Sequence, residues 1–403
     1  MNKKNKRSEY KVNNYPGRIF IIVVLVLVCL ISATTISFGR GAMLDGFKQF
    51  PQNGLTGLKF YFETGVTNLI PDDSKYNLAF VDIYGMYQNL QQKRTDDGLG
   101  FFKDQDGFLL PHWVVTGEHY DAFDNLKTIS DFVEERGGQF RYIQIPANNV
   151  KSEYPASVFP NMPTDQEISA FVSDCEANGI ACLYGNEFLA DLPHSELFDR
   201  TDHHWAGPAV FLTYQKLIED LSSGTERIDS TRFKRLTWKN SFLGGLAVGM
   251  GKYYVGKDDY ILYEPNYETS FTMRFLQGND VIYERKGDFL DALYDEGRLD
   301  DLDYYNKYNA ALAFSDIEWA KTGNFYINIE NHMSDNDRKV LLISDSYGQP
   351  FATYLALSNK EVAYLSWDEY YTQNYKDFIE QYDPDVVLVL KWMQSTYITI
   401  PFE

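Results

Sequence analysis

From residue 339 to residue 390 short apolar runs alternate with amphipathic ones, and few architectures accommodate that rhythm. Val340-Leu341-Leu342-Ile343 is apolar on both of its alternating faces, the pattern of a strand covered on two sides. The spacing predicts a strand over 339–344, a helix over 350–357, a strand over 362–365, a helix over 374–382 and a last strand over 386–390. The same order occurs earlier: a helix over 122–136 leads into a strand at 140–145, and a helix over 165–177 into a strand at 180–184. A further helix is expected over 208–221, where Val210, Phe211, Tyr214, Leu217 and Ile218 fall at helical spacing. Helices alternating with strands imply an α/β fold with a mostly parallel sheet flanked by helices and ligands at the carboxyl ends of the strands.

Two stretches lie outside this rhythm. Phe101-Phe102, the turn Asp104-Gln105-Asp106-Gly107 and Phe108-Leu109-Leu110 read as a β-hairpin, since Asp-Gly supplies the positive φ that tight turns need. A calcium loop would require a further oxygen ligand where Phe108 stands. Residues 235–335 read as an irregular insertion, with glycines at 244, 245, 249 and 251. That loop lacks the lysine of a phosphate cradle and is read as a turn lining a sugar cleft. The aromatic residues around it, Tyr253, Tyr254, Tyr260 and Phe271 among them, are read as core by default, with carbohydrate platforms as the alternative.

The amino terminus has a different character. Residues 1–18 carry six Lys/Arg and one Glu, followed by thirteen consecutive apolar residues, 19–31, and a low-charge run to 38. Twenty helical residues rise about 30 Å, enough for a bilayer core. The positive leader predicts a cytoplasmic tail at 1–18, a transmembrane signal-anchor at 19–38, a stalk at 39–95 and an extracytoplasmic domain at 96–403, with a cleaved signal peptide as the alternative to the anchor. The chain as a whole has a net charge of −20 despite that basic leader, which excludes nucleic acid as a natural partner. Of three cysteines, Cys29 lies in the anchor; Cys175 and Cys182 flank a glycine turn, where a disulfide and two buried thiols both remain open.

Two motifs carry chemistry. Thr201-Asp202-His203-His204-Trp205 holds two of the six histidines and ends before Gly207-Pro208, a helix start. Residues two apart share a side in extended chain and face apart in a helix, so Asp202 meets His204 only on a non-helical loop. Asp202 can then accept from one ring nitrogen of His204 and leave the other for a reacting group, while His203 points away and is read as structural. The second motif, Ser344-Asp345-Ser346-Tyr347-Gly348, ends the 339–344 strand before a helix. Such a turn exposes a side-chain oxygen and aims backbone N–H groups at the same space. Read alone, Asp345-Ser346 is an ordinary helix cap; read with His204 as base and Asp202 as its orienting acid, Ser346 is a nucleophile. His112, His119, His194 and His332 have no comparable surroundings, and neither a metal site nor a cofactor is expected.

Residues 201–205 resemble the signature of the DHHW-motif proteins, relatives of the alginate O-acetyltransferase family of AlgJ and AlgX type. The resemblance covers about residues 100–400 and takes in Asp106-Gly107, the Asn148 loop and the Ser346 turn. It implies an SGNH-hydrolase-like fold in permuted order, with the Asp-x-His segment ahead of the serine, and a triad of Asp202, His204 and Ser346. Ser344 departs from the glycine of Gly-Asp-Ser, and Asn148, with Asn149 behind it, is the candidate second oxyanion donor. The implied activity is transfer of acetyl groups to hydroxyls of an extracellular polysaccharide, with a membrane-bound O-acyltransferase (MBOAT) as acetyl donor and the cell membrane as location. An acetylesterase using the same triad and a non-catalytic glycan-binding or assembly protein are the alternatives.

Overall fold

A computed structural model describes residues 75–96, 100–111, 119–155, 158–159, 162–300, 310–312, 325–366, 374–400 and 402. The basic tail, the 19–38 segment and the stalk up to residue 74 lie outside the described residues. No helix among the described residues is long and apolar enough to cross a membrane. The chain divides at residue 80, and the site lies within the unit formed by residues 81–403.

The elements run α1 (Lys75–Leu90), β1 (Thr95–Asp96), β2 (Phe101–Lys103), β3 (Leu109–Pro111), α2 (His119–Glu135) and β4 (Gln139–Ile145). Then come α3 (Asp165–Ala177), β5 (Cys182–Tyr184), α4 (Gly207–Leu221), β6 (Phe233–Phe242), β7 (Asp258–Pro265), β8 (Phe271–Gln277), β9 (Asp280–Gly287) and β10 (Tyr326–Asn331). β11 (Lys339–Ser344), α5 (Gly348–Leu355), β12 (Glu361–Ser366), α6 (Tyr375–Tyr382) and β13 (Val386–Trp392) complete the chain.

Local signals explain where several of these begin and turn. Thr164 caps α3 by accepting from the Glu167 backbone N–H at 3.2 Å while the Glu167 side chain accepts from Thr164 N–H at 2.7 Å, a reciprocal arrangement that satisfies two amides a bare helix end would leave open. The β2–β3 hairpin turns on Gly107, whose φ of 86° lies in the left-handed region that favours glycine. Asp104 closes the turn by accepting from the backbone N–H of Asp106 and of Phe108.

Eight strands form the central sheet in the order β5-β4-β13-β11-β12-β10-β8-β9. The half from β5 to β12 is parallel. Its interior strands β11 and β13 are covered by helices on both sides, and all seven residues of β13 are buried, Lys391 among six apolar ones. The other half departs from the expected mostly parallel sheet. β12, β10, β8 and β9 pair antiparallel, so the segment read as an irregular insertion supplies three strands of the main sheet. β9 concealed itself in the sequence because it is an edge strand carrying Asp280, Glu284, Arg285 and Lys286, with no buried residue along its length. β6 and β7 form a separate two-stranded ribbon.

In the parallel half the connection from β4 leads outward to β5, and that from β11 leads the opposite way to β12, with β13 between β4 and β11. The carboxyl ends of β4, β13 and β11 therefore flank a topological switch point, where α/β sheets present their ligand sites. Asn148 follows β4, the turn Met393–Ser395 follows β13 and Ser346 follows β11. Cys175 and Cys182 are free thiols, and the hydrogen bond between them together with burial pushes the Cys182 thiol well up.

Candidate active site

Ser346 sits on the strand-to-helix turn that its sequence suggested, and the turn is pinned from three sides. Tyr364 of β12 donates its hydroxyl hydrogen to the Asp345 carbonyl at 2.8 Å. The Asp345 carboxylate accepts from Tyr347 N–H at 3.0 Å and from the Ser395 hydroxyl at 3.1 Å. Asp345 thus holds the turn to the end of β13. Gly348 opens α5 because a Cβ there would stand 2.7 Å from both Ser344 Cβ and the Tyr364 ring.

The opposite wall is the loop from Phe198 to Ala206. A bridge between Phe198 and Trp205 and the bond from Asp199 N–H to the His204 carbonyl at 3.1 Å fold it back on itself. The loop brings His204 between its two partners, with Nδ1 3.1 Å from Asp202 Oδ1 and Nε2 2.8 Å from Ser346 Oγ. Trp205 and Tyr347 lock the two motifs together. The Trp205 indole N–H donates to the Tyr347 carbonyl at 3.1 Å, and the Tyr347 hydroxyl donates to the His203 carbonyl. Residues 142 and 144 positions apart are in this way held in register by reciprocal side-chain-to-backbone bonds.

The glycine-dense loop after β6 forms the floor under Asp202. Gly245 N–H donates to Asp202 Oδ2 at 3.1 Å, and Gly244 N–H donates to Thr201 Oγ1 at 2.9 Å. A Cβ on Gly244 would lie 2.3 Å from the Asp202 Cβ, so only glycine lets the loop come this close. α1 braces the loop from below: Gly85 packs against the Met250 carbonyl, and Asp82 accepts from Lys252 N–H at 2.9 Å. The sequence had suggested that this loop lines a sugar cleft; its contacts are with the acid of the motif instead. The signal that could have found it is the adjacent pair Gly244-Gly245, which allows the backbone close approach to another group.

Asp202 is 2% exposed and His204 8%. Burial pushes the His204 imidazole down to about 4, helped by His203 and opposed by Asp202. Burial alone would raise Asp202, but His204 and His203 beside it outweigh that and hold its carboxyl well below the usual range. At neutral pH the pair is therefore an ionised carboxylate and a neutral imidazole. With Nδ1–H donated to Asp202, the Nε2 lone pair is left facing the Ser346 hydroxyl, the arrangement of a general base.

His203 is placed differently from the expectation. Its Nδ1 lies 2.9 Å from Asp202 Oδ1, and its ring packs on that of His204 with centroids 3.9 Å apart. The reason is local: residues 201–204 bend instead of running extended, so alternation of sides does not apply. Asp202, His203 and His204 bring three ligand atoms within 4.8 Å of one another. A metal there would compete with the Asp202–His204 hydrogen bond. Asn148 is buried, with its side-chain N–H donating to the Leu109 carbonyl at 3.4 Å and its own carbonyl facing His194 Nε2 at 2.9 Å. Its amide is thus turned toward the β2–β3 hairpin, and Asn149 accepts from Ser152 N–H in the next turn.

The fold is mixed α/β, a large central sheet flanked by helices, and its site sets an Asp-x-His loop against a strand-end serine. The protein shares this fold with a DHHW family protein from Eubacterium siraeum, at 17% identity and a TM-score of 0.55 over 74% of this chain and 92% of that one. Bacillus cereus PatB1, solved with a sulfonyl adduct, is similar at 17% identity and a TM-score of 0.54 over 74% of this chain and 98% of that one. The O-acetyltransferase domain of Pseudomonas putida AlgJ aligns at 13% identity, with a TM-score of 0.40 over 74% of this chain and 92% of that one. The DHHW family structure agrees with the resemblance carried by residues 201–205. No protein-family model matches the sequence, and a search of curated proteins finds no match.

Proposed function

We propose that the protein is a membrane-anchored, extracytoplasmic O-acetyltransferase acting on hydroxyls of a cell-surface or secreted polysaccharide. The observation that carries this reading is the position of His204, 3.1 Å from Asp202 on one side and 2.8 Å from Ser346 on the other. His204 Nε2 takes the proton of Ser346 as Oγ attacks the acetyl carbonyl, and returns it to the leaving group of the donor. An acetyl-serine remains. A sugar hydroxyl then gives its proton to His204 and attacks the acetyl carbon, and His204 passes that proton to Oγ as Ser346 leaves. Asp202 stays ionised and stabilises each imidazolium. The backbone N–H of Ser346 is the proposed oxyanion donor, a role worth roughly 3 kcal/mol in the transition state.

The apolar run at 19–38 with its basic leader supports anchoring with the amino terminus in the cytoplasm. An MBOAT protein is the proposed source of acetyl groups. The test is hydrolysis of a chromogenic acetyl ester by the full chain in detergent. Ser346→Ala and His204→Ala should each lose at least about 10³-fold in kcat. Undiminished turnover in Ser346→Ala would overturn the assignment, and acetate release with no transfer to added oligosaccharide would make the enzyme an acetylesterase.

A further inference from the structure

On the flank of the Phe198–Ala206 loop lies a cleft of about 570 Å³, within the size range of small-ligand sites. One wall is the stacked pair Phe108 and His194, with ring centroids 3.6 Å apart and 6° between planes. The other walls come from the loop itself and from the start of β7. Asp199 joins this cleft to the motif, since its N–H donates to the His204 carbonyl and its carbonyl accepts from Asp202 N–H.

The polar groups of the cleft are unequally engaged. Asp258 accepts from Arg200 Nε at 3.0 Å and from the N–H and hydroxyl of Thr201 at 2.7 Å each. Arg200 also donates to the Val255 and Lys257 carbonyls, and Arg235 pairs with Glu196 at 3.0 Å. Arg200 is thereby spent on three acceptors and Arg235 is committed to Glu196 through Nη1, while Asp106, Glu196, Asp258 and Asp259 line the cleft against Arg200, Arg235 and Lys257. Asp199 is the opposite case. It is 8% exposed, lines the cleft, and its carboxyl has no hydrogen-bond partner among the described residues. Burial, then Asp258 and Asp202, hold that carboxyl well above the usual range, which favours its protonated form, able to donate as well as accept.

We propose that this cleft is a saccharide subsite that takes a non-anionic sugar unit, with Asp199 as the group that recognises a sugar hydroxyl or amine and the Phe108–His194 stack as the apolar wall. Burial of an unpartnered polar group is costly, and a ligand that completes its hydrogen bonds removes the cost. A ring with a hydroxyl or amino group and an apolar face satisfies both walls, whereas a uronate or phosphate would meet an acid and two engaged arginines. The inference rests on the reading of the protein as a polysaccharide-modifying enzyme and adds the charge class of the sugar and the surface that holds it.

The test uses the full chain carrying Ser346→Ala, so that binding is measured without turnover. Neutral glucan oligosaccharides, glucosamine oligosaccharides and oligouronates are compared by calorimetry, with hydrogen exchange read over 194–200 and 257–261. A non-anionic oligosaccharide should bind at least tenfold tighter than the oligouronate and protect both segments, and addition of Asp199→Ala should weaken it at least tenfold. Tighter binding of glucosamine than of glucan oligomers would identify an amine as the group met by Asp199, and equal binding a hydroxyl. Preference for the oligouronate, or binding that leaves both segments unprotected, would overturn the subsite. The hydrogen-exchange result does not depend on the Asp199 variant folding. Failure of the ester assay would sink the catalytic reading and leave this cleft standing.

Discussion

Replacement of Gly244 by alanine isolates the orientation of Asp202 from its charge. The backbone of Gly244, at φ −73° and ψ 173°, suits any residue, so the only effect of a methyl group is steric. That methyl carbon would lie 2.3 Å from Asp202 Cβ, 2.7 Å from Asp202 Oδ2 and 2.7 Å from the Thr201 carbonyl oxygen. Carbon atoms settle at roughly 3.5–4.0 Å, so Asp202 and residue 244 must part by about 1 Å. A shift of that size at a group 3.1 Å from His204 Nδ1 changes the tilt of the imidazole and its reach to Ser346. Misplacement by about 1 Å costs on the order of 10²-fold, or about 2.7 kcal/mol in the barrier. Loss of the carboxylate charge in Asp202→Asn should cost more, about 10⁴-fold. Gly245→Ala is the matched control, because its methyl would meet nothing nearer than Asp202 Oδ1 at 4.0 Å, and it should change the rate by less than about threefold. The assay is kcat/KM on a chromogenic acetyl ester, with a thermal melt to show that each variant folds. Equal rates for folded Gly244→Ala and Gly245→Ala would refute the claim that this loop sets the Asp202 position.

Two further outcomes follow from the site. Because His204 is held down to about 4, kcat/KM should stay level from neutral pH to about pH 5 and fall as pH drops through about 4, where protonation removes the base; a midpoint near the ordinary histidine value of about 6.5 would contradict a buried His204 acting as that base. Trp205→Phe keeps the ring but removes the bond to the Tyr347 carbonyl, and should lower stability by about 1 kcal/mol, read as a shift in denaturation midpoint, together with a loss of kcat; an unchanged midpoint would show that the two motifs do not depend on this link.

The parallel half of the sheet and its helices were legible because each is a local statement. α3 begins after Thr164 with Glu167 three residues on, and β11 is a bounded apolar run that only a doubly covered strand explains. Asp202, His204 and Ser346 were legible as residue types, since an acid two before a histidine and a serine at a strand's end restrict the geometry by themselves. What escaped was set by contacts between distant segments. Gly244 is required by Asp202, which precedes it by some forty residues in sequence, and the seat of that loop is supplied by Gly85 and Asp82 of α1. β10 and β8 were missed because β10 pairs antiparallel with β12 and β8 antiparallel with β10, within a sheet whose other half is parallel, and β9 because its exposed charges hide a strand. His203 was misplaced because an alternation rule was applied to a bent loop. The tail and the 19–38 span rest on hydropathy and charge alone.

The central claim is that Ser346 carries the acetyl group. It is tested most directly by mixing the full chain with an acetyl ester, quenching in acid and locating the label by peptide mass spectrometry. The account predicts one acetyl group on the peptide containing Ser346, absent in Ser346→Ala and strongly reduced in His204→Ala. Turnover of the ester with no acetyl on that peptide, or the same label elsewhere and unaffected by Ser346→Ala, would contradict it.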